Sequence, residues 1–84
     1  MANCNVIVEN ETAIDYGNGW ELWLQYCEYN YDNGNPPEKG YRFIYKENGK
    51  LKPQRAQARI PSFAHIHKLM AQAIEQGWGH HVND

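Results

Sequence analysis

The chain is short of most features that announce a function. It has only two cysteines, Cys4 and Cys27, where a small secreted domain is usually stapled by about four or more. No stretch approaches the ~18 consecutive apolar residues of a membrane span. The N-terminal run MANCNVIVENE has no basic segment ahead of an apolar one, so no signal peptide is expected. Two thiols without a signal read as reduced. The expected location is cytoplasmic, with no membrane partner. At 84 residues and 9.8 kDa the chain is too short for folds built from many strand–helix units. It reads as one small domain over residues 1–84, with 79–84 as a loose tail.

Catalytic and metal signatures are missing too. There is no GxSxG elbow, no GxxxxGKS/T phosphate loop, no HExxH and no GxGxxG. Gly17-Asn18-Gly19 leads into a strand pattern rather than a helix, so it is not a phosphate cradle. The histidines are His65, His67, His80 and His81. None stands four residues from another, as a helical zinc pair requires, and there is no CxxC. No cofactor or metal is expected. A Cys27–His65 dyad is the only nucleophile–base pairing to consider, and nothing flanking either residue supports it. The reading is not an enzyme.

Cations are absent from the first part of the chain. Residues 1–38 carry seven acids and no Lys or Arg, whereas residues 39–84 carry all eight basic side chains and three acids. A net charge of −2 therefore hides a split of −7 and +5. Composition is globular, with 42% hydrophobic residues and 11 aromatics to build a core.

The hydrophobic pattern alternates over Asn5–Tyr16, with Val6, Val8, Thr12, Ile14 and Tyr16 on even positions and a break near Asn10. It alternates again over Trp20–Tyr31, with Trp20, Leu22, Leu24 and Tyr26 on one face. A three-residue loop at Gly17–Gly19 sets Tyr16 opposite Trp20, Ile14 opposite Leu22 and Thr12 opposite Leu24. A one-residue slip would exchange the faces. After a loop at 32–40, Tyr41–Lys46 is a third strand, and Asn48-Gly49 is a strong hairpin signal. The return strand is placed at Lys52–Ile60, where Pro53 suggests an edge and leaves open a homodimer through that edge. Ser62 is the expected N-cap of a helix. Phe63, Ile66, Met70, Ala73 and Ile74 form its core stripe, with Leu69 beside them, and Gly77 and Trp78 close it. The predicted fold is α+β: two antiparallel hairpins in a four-stranded sheet, with one C-terminal helix on one face (ββββα). The helix is expected to cover Tyr41, Phe43 and Tyr45.

The other sheet face then collects the charges. Glu9, Glu11, Asp15 and Glu21 lie on the first hairpin with the aromatics Trp23 and Tyr29, and Arg42, Lys46, Arg55 and Arg59 lie on the second. Such charges can neutralise one another across the strands. An acidic, aromatic surface can also imitate nucleic-acid phosphates and capture a basic partner. The leading reading is a non-catalytic protein-binding module, a stoichiometric inhibitor or adaptor of a nucleic-acid-directed system. A phage- or mobile-element-encoded anti-CRISPR-type protein is one concrete form. Its partner would be a protein, itself a nucleic-acid binder, held by Glu9, Glu11, Asp15, Glu21, Trp23 and Tyr29. The alternative is a nucleic-acid-binding accessory protein using Arg42, Lys46, Arg55 and Arg59. A sequence pI of about 6.0 argues against the alternative.

Overall fold

The computed structural model describes residues 4–52 and 59–81. The chain runs β1 (Cys4–Gly17), β2 (Trp20–Tyr31), β3 (Glu38–Glu47), β4 (Lys50–Leu51) and α1 (Phe63–Glu75). The strands form one antiparallel sheet in the order β1-β2-β3-β4, so the fold is ββββα as the pattern predicts.

The first hairpin keeps the predicted pairing by a different route. Ile14 faces Leu22 and Thr12 faces Leu24, but Gly17 rather than Tyr16 faces Trp20. The turn is the two residues Asn18 and Gly19, both at positive φ (55° and 82°), the hairpin geometry whose twist matches the strands. A register shift between Asp15 and Gly17 absorbs Tyr16 as an extra residue. A second shift lies between Val8 and Asn10, at Glu9. It moves Val6 and Val8 opposite Tyr29 and Cys27, onto the face away from the helix, and so overturns the even-position reading of β1.

The second hairpin turns at Asn48 and Gly49, also at positive φ (51° and 81°). Glu47 faces Lys50 and Lys46 faces Leu51, but β4 ends at Leu51, and of the expected strand at Lys52–Ile60 the described residues Lys52, Arg59 and Ile60 are not in a strand. The rest of that span, residues 53–58 and with it Arg55, lies outside the described residues. The two turns meet: the Asn48 amide donates to the Gly19 carbonyl at 2.7 Å.

The core is Ile14, Leu22, Leu24 and Tyr26 of the sheet against Leu69 and Ala73 of α1 and Trp78 beyond it. The helix ends in the predicted glycine closure. Gly77 has φ 91°, its amide donates to Ile74 and that of Trp78 donates to Ala73, satisfying carbonyls that the helix leaves open. Ser62 occupies the N-cap position but its side chain makes no capping bond. The Ser62 carbonyl instead accepts from the His65 amide at 3.2 Å.

The helix is rotated and shifted from its expected seat. It packs on β1 and β2, not across to β3. Polar anchors explain this. The Thr12 hydroxyl, nearly buried, donates to Gln72 Oε1 at 3.3 Å and accepts from Gln76 Nε2 at 3.1 Å. The Tyr16 hydroxyl and His65 Nδ1 are 2.8 Å apart. Buried hydroxyls need such partners, and satisfying them pulls the His65–Gln72–Gln76 side of α1 toward β1. Leu69 and Ala73 then become the buried stripe, while Phe63, Met70 and Ile74 point out. Tyr41, expected beneath the helix, is exposed, and Phe43 and Tyr45 are only partly buried.

Residues 79–81, expected to be loose, dock on the sheet. The His81 ring stacks on Tyr26 at 3.7 Å, and its Nδ1 lies 2.7 Å from the Tyr41 hydroxyl. No helix among the described residues is long and apolar enough to cross a membrane.

Candidate functional site

The face opposite α1 gathers the side chains singled out by charge. The registers put Glu11, Ala13 and Asp15 of β1 beside Gln25, Trp23 and Glu21 of β2. Arg42, Ile44 and Lys46 of β3 follow on the other side of the same β2 residues. Glu11 and Asp15 of β1 and Arg42 and Lys46 of β3 thus lie two strand spacings or ~10 Å apart, with Gln25, Trp23 and the acid Glu21 in the row between.

That middle row is built rather than merely present. Gln25 is 1% exposed although no helix covers this face. Its Nε2 donates to Glu11 Oε1 at 2.9 Å, and its Oε1 accepts from Arg42 Nε at 2.7 Å. An amide carries both a donor and an acceptor, so one residue links the acid row to the cation row. Next along, Lys46 Nζ sits 3.9 Å from the Trp23 ring centre and 3.6 Å from Glu11 Oε1. The Trp23 indole donates to Glu21 Oε1 at 3.4 Å.

The remaining site residues are placed as follows. Glu9 sits in the bulge, where it ion-pairs with Lys39 Nζ at 3.2 Å, a contact that raises the Lys39 pKa. Asp15 stands directly across from Glu21 and accepts from the Gly17 amide at 2.8 Å. Burial raises the Tyr29 pKa, the adjacent Cys27 thiol adds to the rise, and Arg42 opposes it. Arg59 is exposed, and its carbonyl accepts from the Tyr45 hydroxyl. Arg55 lies outside the described residues. The structure therefore brings Glu11, Glu21, Trp23, Arg42 and Lys46 into one network with Asp15 at its end.

Gln25 is the residue that sequence reading passed over. The alternation in β1 and β2 already implies that it faces Glu11. Its contact with Arg42 depends on how β3 slides against β2, which the loop between them leaves open.

Cys27 and His65 do not come together. Cys27 is fully buried on the outer face, and burial pushes its thiol up from its ordinary value. His65 lies on α1, across the sheet, with Tyr16. Among the described residues no three His, Cys, Asp or Glu side chains form a group that could hold a metal ion. The chain matches no protein-family model, and no curated protein or solved structure matches it.

Proposed function

We propose that the protein is a non-catalytic protein-binding module that presents the outer face of its sheet to a protein partner. A stoichiometric inhibitor or adaptor of a nucleic-acid-directed system, of the anti-CRISPR type, is the concrete form. The observation that carries the reading is the Glu11–Gln25–Arg42 relay. It holds an acid row and a cation row in place on a face otherwise open to water. Side chains fixed before binding lose less entropy on binding.

The sign of the face favours a protein over bare nucleic acid. A polyanion would meet Glu11, Asp15 and Glu21, and two of the four cations of that alternative are engaged within the face: Arg42 by Gln25, Lys46 by Glu11 and Trp23. A protein surface offers both signs, and Trp23 is the kind of half-buried aromatic that anchors such contacts. Asp15 and Glu21 are like charges directly opposite, a destabilising pair in the free protein. A basic group of the partner placed between them would relieve that repulsion.

Affinity capture from a native lysate, with and without nuclease, tests this. The expected result is a nuclease-resistant protein partner that is lost when Trp23→Ala is combined with Asp15→Asn and Glu21→Gln. A salt-sensitive mobility shift of bare DNA or RNA, removed by Arg42→Gln and Lys46→Gln, would sink the reading and restore the nucleic-acid alternative.

A further inference from the structure

We infer that the chain pairs with a second copy of itself through the apolar strip between α1 and β3, leaving the outer sheet face of each copy free. Phe63 is 88% exposed, Ile74 65%, Met70 49% and Tyr41 41%. Phe63, Met70 and Ile74 recur at helical spacing, so they form one ridge along α1. Beside the ridge runs an apolar groove of about 300 Å³, floored by Leu24 and Phe43 and walled by Tyr41 and Met70. Among the described residues nothing fills it.

Several observations point to a second copy rather than another occupant. The ridge carries no Lys, Arg, Asp or Glu, because Lys68 and Glu75 lie on the far side of the helix from Met70; its titratable side chain is the exposed His67, on the same face between Phe63 and Met70. A ridge next to a groove is self-complementary under a two-fold axis, where each copy offers the same patch to the other. Phe63 and Ile74 are eleven residues apart on α1, ~16 Å along its axis. With the helices antiparallel, Phe63 of one copy meets Ile74 of the other at both ends of the contact.

The areas are sufficient. With an exposed large side chain presenting ~200 Å², these four residues expose roughly 500 Å² per copy. Two copies would bury roughly 1,000 Å² from them alone, the size at which specific interfaces begin. A patch of this size lies within the ~300–600 Å² of the largest apolar patch on a typical monomer, a patch that is often functional.

Sedimentation equilibrium of the full chain, from about 1 μM to about 1 mM, reads the association directly. Wild type should rise from 9.8 kDa toward twice that mass with concentration. Phe63→Glu should weaken association by at least ~30-fold, as expected for a central interface anchor. Ile74→Lys should do the same. Because both sites are exposed, each variant should keep the circular-dichroism spectrum and melting curve of a folded chain at monomer concentrations. Mixing the two variants should recover a dimer, since one contact then pairs Glu with Lys and the other stays Phe against Ile. A wild type that remains at 9.8 kDa at every concentration overturns the inference and leaves the strip to a different protein. A dimer that persists in both variants overturns it as well. Neither result touches the reading of the outer face, which is on the other side of the sheet.

Discussion

Replacing Gln25 by leucine isolates what the relay contributes, because leucine keeps the approximate volume and removes both hydrogen bonds. The two bonds, at 2.9 Å to Glu11 and 2.7 Å from Arg42, each involve a charged group. Such bonds contribute about 1.5–3 kcal/mol where both partners are buried. Glu11 is exposed and Arg42 half-buried, so water recovers part of each and about 1–1.5 kcal/mol per bond remains. The apolar side chain gains back about 1 kcal/mol by being buried. The net effect is a destabilisation of about 1–2 kcal/mol, which lowers Tm by about 5–15 °C in a domain of this size. Thermal and urea unfolding followed by circular dichroism would measure it. In a double-mutant cycle with Arg42→Met, the two changes should fall short of additivity by about 1 kcal/mol, since either one breaks the same bond. A leucine variant as stable as wild type, with fully additive effects, would refute the argument. The acid and cation rows would then be independently solvated, and the outer face would not be held ready for a partner.

On the helix, Leu69→Ala should destabilise by about 3 kcal/mol, because Leu69 is fully buried, whereas Ile74→Ala should change monomer stability by less than about 0.5 kcal/mol; urea midpoints at low concentration compare them. Gly19→Ala should cost more than Gly49→Ala in the same assay. Both glycines have positive φ, but of the two only Gly19 would bring an added Cβ against a neighbour, the Asn48 side-chain amide. Burial, helped by the nearby Tyr45, raises the Tyr16 pKa to about 12. The neutral phenol is thus favoured in the folded state, and its stabilisation is complete below about pH 10 and lost as pH rises toward 12. Absorbance titration should show one tyrosine ionising near pH 12 that is missing from Tyr16→Phe. Exposed Cys4 should alkylate readily at neutral pH, while buried Cys27, its pKa raised, should react only on unfolding; mass spectrometry distinguishes the two.

Much of the architecture was legible in the residues. Period-two alternation marks β1, β2 and β3, Asn48-Gly49 marks the second turn, and Gly77-Trp78 marks the helix end, whereas the first turn uses only Asn18 and Gly19 of the three residues expected for it. The pairing of Ile14 with Leu22 followed from hydrophobic alternation, because a slip would turn a whole face to water. That pairing holds although a bulge adds Tyr16 to the strand. A bulge adds one residue without a distinctive composition, and for the same reason the bulge at Glu9 hid the turning of Val6 and Val8 to the outer face.

The helix shows where local pattern stops. Its apolar positions span a wide arc, from Leu69 through Met70 to Ile74, and alternation alone does not say which part of the arc is buried. Thr12 and Tyr16 decided it by requiring hydrogen-bond partners from Gln72, Gln76 and His65, which turned Phe63 and Ile74 outward.

By itself, then, the sequence determined the order of strands and helix, where the two hairpins turn, the pairing of Ile14 with Leu22 and Thr12 with Leu24, and the division of charge between the hairpins. All of these rest on neighbours in the chain or on periodicities of two and 3.6. Only the tertiary structure decided that acids and cations meet through Gln25, and that part of the helix stripe is left bare. Both depend on how β3 slides along β2 and how α1 rolls on β1. Those rigid-body choices are settled by satisfying buried polar groups across long stretches of chain.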